Sequence, residues 1–223
     1  MTSITLDPLD LAALLCSRLC HDVISPVGAI VNGLEMLEDE KDEAMRKDVL
    51  DLIRGSADNA SARLQFARLA FGAAGSAGAS IDTGDAEKAA RGLLSDPKLK
   101  LEWSIPRVLA PKNKVKLLLN LCLLAASSAP RGGIIRVEPL AEGWSDFSTK
   151  VSVQGANVKL NARVAAILAD APDEPIDAHS IQPHYAMLVA EAAQMAIAAS
   201  SAADAVAFEA RPAAAGAARE AAA

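Results

Sequence analysis

Apolar residues fall at Leu9, Ala13, Cys16, Cys20, Val23, Val27, Ile30, Leu34 and Leu37, with gaps that alternate four and three without a slip. This is the seam of a long helix lying lengthwise against another helix. Its start is marked as well: Asp7 stands at a capping position, Pro8 suits a first turn, and Asp10 puts negative charge at the positive end of the dipole. The charged run EDEKDE, 38–43, breaks the pattern. A second series follows at Met45, Val49, Leu52, Ala60, Leu64, Ala67 and Phe71, with small residues filling the gap around Ser56. The spacing predicts two antiparallel helices, each about 45 Å long at about 1.5 Å per residue, joined by a short loop. Such a hairpin cannot cover its own seam, whereas two copies make a four-helix bundle, so a homodimer is expected.

After Phe71 the periodicity stops in GAAGSAGAS, 72–80. Small residues without pattern mark a boundary. Beyond it helical and strand patterns alternate. DAEKAARGLLSD reads as helix, LKLEWSIP as strand, and KNKVKLLLNLCLLAASSAP as an apolar helix stopped by Pro130, Gly132 and Gly133. IIRVEPL and FSTKVSVQG read as paired strands, NARVAAILAD and PHYAMLVAEAAQMAIAA as helices, and AVAFEA as a closing strand. The predicted fold class is α+β: a dimerising helical hairpin over 1–73, a linker over 74–82, an α/β sandwich over 83–210, and a low-complexity tail over 211–223.

Charge and composition narrow the functions. A net charge of −6 supplies no basic stripe for nucleic acid. No uninterrupted apolar run reaches the length of a membrane span, and MTSITLDPLD lacks the pattern of a secretory signal. Three cysteines do not build a disulfide framework, so a reduced cytoplasm is the expected compartment.

The densest candidate chemistry is CSRLCHDVISP, 16–26. Haem attachment needs two residues between its cysteines, and three stand here. Cys16 and Cys20 share a helix face, but His21 points about 100° away from Cys20, which is poor geometry for a metal clip. Both cysteines also fall in the apolar seam, where a thiol behaves as a small hydrophobe. Arg18, His21, Ser25, Gly28, Asn32 and Glu35 form their own stripe away from that seam. His21 is therefore expected to face solvent in mid-helix, with Asp22 beside it. Pro26, which costs about 3 kcal/mol in a helix interior, follows within two turns.

HDVISP resembles the H-box of histidine kinases, a histidine followed by an acidic residue and, five positions on, a proline. The order of hairpin, linker and sandwich is similar to a kinase dimerisation domain followed by a GHKL ATP-binding domain. The second domain departs from the kinase pattern where ATP chemistry needs it. In LLLNLCLLAASSAPRGG Asn120 matches one asparagine of the N-box, but Leu124 stands where the magnesium-binding asparagine belongs, and leucine offers no oxygen to a hard cation. SVQGANVKL lacks the adenine-reading aspartate, and 170–190, where the glycine-rich lid belongs, contains no glycine. A histidine kept and an ATPase lost resembles the histidine phosphotransferases built on a kinase scaffold.

That resemblance implies a phosphohistidine at His21, with Asp22 holding the imidazole tautomer or stabilising the charged intermediate. It implies Arg18, Ser25, Gly28 and Asn32 beneath a docked partner. The partners implied are the receiver domain of a CckA-like hybrid kinase and CtrA-like and CpdR-like response regulators of a cell-cycle phosphorelay. Mg2+ is expected from the receiver; no tightly bound cofactor and no ATP are expected in this chain. An active kinase fragment and a non-catalytic dimeric scaffold are the alternatives.

Overall fold

A computed structural model describes residues 5–72, 79–94 and 97–213. The hairpin forms as the spacing predicts. Helix α1 spans Pro8–Asp39, and the Asp7 side chain accepts the Leu9 N–H at 2.8 Å. Helix α2 spans Glu43–Ala70, capped by Asp42 through the N–H groups of Ala44 and Met45. Arg46 closes the loop by donating to the carbonyls of Leu37 and Glu40, both at 2.8 Å.

The face of α1 that packs on α2 is not the predicted seam. Leu9, Cys16, Cys20, Val27 and Leu34 are exposed, and the stripe turned to α2 runs through Leu15, Leu19, Asp22, Pro26, Ala29, Gly33 and Leu37. Gly33 is the buried contact point, where an added Cβ would meet Ile53 Cγ1 at 2.6 Å. The heptad stripe is apolar as expected, and its own chain leaves most of it uncovered, in line with the expectation that a hairpin cannot cover its own seam. Small residues and Pro26 make the close intrachain contact, and they carry a weak hydrophobic signal. Helix α1 is also long and apolar enough, by length and composition, to cross a membrane. Arg18 and Asp22 interrupt its apolar run, so no uninterrupted stretch of that length appears in the sequence.

Past the hairpin, β1 (Ser80–Asp82) pairs antiparallel with β3 (Leu109–Pro111). Between them lie α3 (Thr83–Leu93) and β2 (Leu99–Trp103). Helix α4 (Lys112–Ser127) is followed by β4 (Gly133–Pro139) and β5 (Thr149–Gln154). Next come α5 (Ala162–Leu168), α6 (Ile181–Ala192), β6 (Met195–Ala202) and β7 (Ala205–Pro212). The main sheet has the order β2-β4-β5-β7-β6, with only β2 and β4 parallel. Val137, Val151 and Phe208 share one face at adjacent registers, packing with Leu118, Leu121 and Leu124 of α4 in one core. The other face is polar, with Arg136 bonded to Glu102 across the parallel pair at 3.0 Å.

Three boundaries differ from expectation. The predicted linker overlaps β1; its residues 74–78 lie outside the described part, while Ser80–Asp82 are strand. The tail reading at 211–223 overlaps Arg211 and Pro212 at the end of β7, and the rest of it lies outside the described residues apart from Ala213. The long helix predicted over 183–199 stops early. Gln194, at φ 55, ends it, and MAIAA continues as part of β6, which is paired with β7 along its whole length. Alanine propensity favours helix there, but eight registered partners on β7 override it.

The hairpin is seated on the sandwich through α2. Phe66 and Ala70 enter the sandwich core. Asn120 of α4, fully buried, donates to the Ala70 carbonyl at 3.1 Å, and Tyr185 of α6 reaches the Phe71 carbonyl.

Candidate functional site

Helix α1 presents three faces, and at 100° per residue the apolar stripe and the His21 stripe lie about 100° to either side of the one that packs on α2. One packs on α2, a second is the exposed apolar stripe, and the third carries His21. The His21 side chain is 80% exposed in the middle of an unbroken helix. Asp22 sits between the polar and packed faces. Its Oδ1 lies 3.9 Å from His21 Nδ1 and its Oδ2 lies 3.9 Å from Arg18 Nε. Both distances exceed hydrogen-bond reach, so Asp22 contributes a nearby negative charge and does not hold the imidazole tautomer in this conformation.

Beside His21 runs a groove of about 630 Å³ between the two helices. His21, Asp22, Ser25, Pro26 and Ala29 form one wall, and Asp51, Leu52, Gly55, Ser56, Asn59 and Arg63 of α2 form the other. Sequence reasoning missed the second wall. Its signal was present, because the apolar series of α2 skips from Leu52 to Ala60, and the small residues in that gap open the groove. Arg63 is braced by Asn59, with Nε donating to Oδ1 at 2.6 Å.

Of the four residues expected beneath a partner, Ser25 lines the groove. Gly28 and Asn32 continue the same stripe further along α1, outside it. A Cβ at Gly28 would meet nothing within 4 Å. Arg18 is half-buried, leaning toward Asp22.

His179 comes from the far end of the chain. Its ring lies 6.5 Å from the His21 ring, edge to face at 78°. A tight turn before α6 carries it: Asp177 Oδ1 accepts the N–H groups of His179 (2.9 Å) and Ser180 (2.8 Å) and the Ser180 hydroxyl (2.7 Å). Arg163 of α5 pairs with Asp177 Oδ2 at 3.2 Å. The Ser180 bonds, followed by the His179 N–H and Arg163, hold the Asp177 carboxyl down to about 2.

The positions that the kinase resemblance assigns to nucleotide are built differently. Leu124 is fully buried in the core. The Asn120 side-chain N–H groups are committed to backbone carbonyls, Ala70 at 3.1 Å and Lys116 at 2.9 Å, its backbone carbonyl accepts from Gln182, and its Oδ1 is buried without a hydrogen-bond partner. These residues do not fit a magnesium–nucleotide site. Among the described residues no group of three or more His, Cys, Asp or Glu side chains is arranged to hold a metal ion. Cys16 and Cys20 are free and exposed.

The family model for the histidine phosphotransferase C-terminal domain matches residues 83–205, the sandwich with its helices. The protein phosphotransferase ChpT of Brucella abortus (strain 2308) is 50% identical over 208 residues, which cover 93% of this chain and 98% of that protein. The chain belongs to the histidine phosphotransferase family. A solved bacterial phosphotransferase is 47% identical and superposes with a TM-score of 0.82 over 95% of this chain and all of that one. The phosphotransferase assignment thus covers the hairpin as well as the sandwich, and the likeness in structure extends to the helix that carries His21.

Proposed function

We propose that this phosphotransferase relays a phosphoryl group through His21. The group comes from the receiver domain of a hybrid histidine kinase, CckA-like, and goes to CtrA-like and CpdR-like response regulators. The observation that carries the reading is the exposure of His21 in mid-helix beside a groove, within a chain so similar to a protein phosphotransferase. A neutral imidazole is a nucleophile through its unprotonated ring nitrogen. Its lone pair attacks phosphorus, the bond to the receiver's aspartyl oxygen breaks, and those electrons stay on the receiver carboxylate. Asp22 supplies negative charge near the cationic ring that results. Such transfer is mainly positioning and charge neutralisation, and Mg2+ with its acidic pocket belongs to the receiver. Ser25, Gly28 and Asn32 extend the contact surface along α1, with Arg18 at its edge.

The working form is a homodimer. Leu9, Ile24, Val27, Val31 and Leu34 lie exposed along one side of α1, and a second hairpin covers that side in a four-helix bundle. The same pairing accounts for the hydropathy of α1 without a membrane, in keeping with a cytoplasmic protein. Buried Leu124 and the engaged Asn120 support phosphotransfer without ATP-dependent kinase activity.

Transfer from a labelled phosphorylated receiver to the purified protein tests this reading. The His21→Ala variant is expected to accept no label while keeping its helix content and dimer mass. Undiminished transfer would leave a scaffold role. Self-labelling of the wild type with ATP alone would restore the kinase reading.

A further inference from the structure

We propose that His179 is a second imidazole of the phosphotransfer site, contributed by the C-terminal domain, whose ring N–H donates a hydrogen bond to the phosphoryl group while that group is on or near His21. The inference rests on the reading of His21 as the phosphoryl acceptor.

Three observations carry it. The two rings stand 6.5 Å apart, edge to face, so they are near neighbours. A phosphoryl group carried on a ring nitrogen of His21 projects a few ångströms from that ring, a reach comparable with the separation of the two imidazoles. Second, His179 is exposed but its backbone is not loose. Asp177 accepts its N–H, Arg163 grips Asp177, and Arg163 also donates to the Pro175 carbonyl at 2.7 Å, tying the turn to α5. The imidazole is delivered from a fixed base, as a site residue must be for its geometry to hold. Third, helix α1 touches α6, the helix into which the His179 turn leads.

The chemistry is that of a donor aimed at developing charge. As phosphorus moves between the receiver's carboxylate oxygen and His21 nitrogen, negative charge sits on its three peripheral oxygens. Neutral imidazole always carries one N–H donor. His179 forms no bond to phosphorus, and its proton stays on its own ring; it only lowers the energy of the transferring group. The glycine-free segment before α6, unsuited to wrapping a nucleotide, thereby has a use of a different kind.

Single-turnover transfer from a phosphorylated receiver at saturating concentration is the test, run on wild type, His179→Ala, His179→Gln and His21→Ala with thermal melts alongside. A hydrogen bond to a charged group predicts a loss of roughly ten- to hundredfold in the rate for His179→Ala. His179→Gln, which keeps an N–H donor, should recover most of it. An unchanged rate for His179→Ala overturns the proposal, as does equal slowing of the Ala and Gln variants. So does a defect that disappears at saturation, since that would make His179 a docking residue only. Retained transfer by His21→Ala would instead bring down the underlying reading, so the two failures are distinct.

Discussion

Helices α1 and α4 are both apolar and are treated in opposite ways. Ten of the sixteen residues of α4 are buried, Asn120 and Lys116 among them, whereas Gly33 alone is buried in the thirty-two residues of α1. Helix α4 fills the centre of its own domain. Helix α1 spreads its apolar residues over a face that its own chain leaves open, with Ile24 70% and Leu34 53% exposed. The contrast separates two tasks. The sandwich closes its core around α4 with help from Phe66 and Ala70 of α2, whereas α1 leaves one apolar face open, which the proposed dimer would cover, and another face that carries His21.

Breaking the open face should have the largest effect. Val27→Glu with Leu34→Glu places charge in the proposed dimer seam, where each apolar side chain would be worth about 1.5–3 kcal/mol on burial, counted twice by symmetry. The expected outcome is a monomer by light scattering, with partial loss of helix content confined to the hairpin and native Trp fluorescence from buried Trp144. A dimer that survives the double substitution would place the partner elsewhere.

The two glycines of α1 in the middle of the helix sharpen the comparison within a single element. At Gly33 a Cβ would come 2.6 Å from Ile53 Cγ1, so Gly33→Val forces the helices apart and should lower stability by about 1–3 kcal/mol. Ile53→Ala in the same chain should restore part of that loss, read from denaturant midpoints. At Gly28 there is open space, so Gly28→Ala should raise stability by about 0.5–1 kcal/mol through helix propensity alone. Equal effects at the two sites would contradict the packing described for α1 on α2.

The same pair shows what could be read in the sequence. The helix limits, the hairpin and the exposure of His21 followed from period and capping, because those are local properties of one segment. The choice of face did not. Leu34 outweighs Gly33 in any hydrophobic pattern, yet Gly33 makes the intrachain contact because it lets α2 approach. Strand β6 was hidden for a related reason: an alanine-rich strand is defined by its partner on β7 and not by its own composition. His179, 158 positions from His21 in the chain, became part of the site only through the seating of α2 on the sandwich.

A smaller effect tests where a partner docks. Gly28→Trp adds bulk to the polar stripe one to two turns past His21, touching neither α2 nor the apolar face. Receiver affinity should fall by roughly tenfold, about 1.4 kcal/mol, with dimer mass and helix content unchanged. Titration with an unphosphorylated receiver measures it. An unaltered affinity and transfer rate together would move docking off α1.

The three cysteines give the smallest readout and divide along the same line, Cys16 and Cys20 exposed on α1 and Cys122 fully buried on α4. Burial pushes the Cys122 thiol from an ordinary 9.0 up to about 12. The sign of the pH dependence follows. Below pH 9 the thiol is protonated in both folded and unfolded chains, and its contribution to stability is fully present. Between pH 9 and 12 the unfolded chain releases the proton while the folded one keeps it, so folding stability declines, by at most about 1.4 kcal/mol per pH unit from this group. Tyr185, raised by burial from an ordinary 10.0, adds to the decline higher in the range, so the cleanest window is just above pH 9. Cys122→Ala should flatten the stability curve there, measured by urea unfolding in closely spaced buffers, while Cys16→Ala and Cys20→Ala should leave its slope unchanged. An unchanged slope for Cys122→Ala would mean that α4 opens to solvent before the sandwich unfolds, and the division between a closed scaffold and an open hairpin would fail with it.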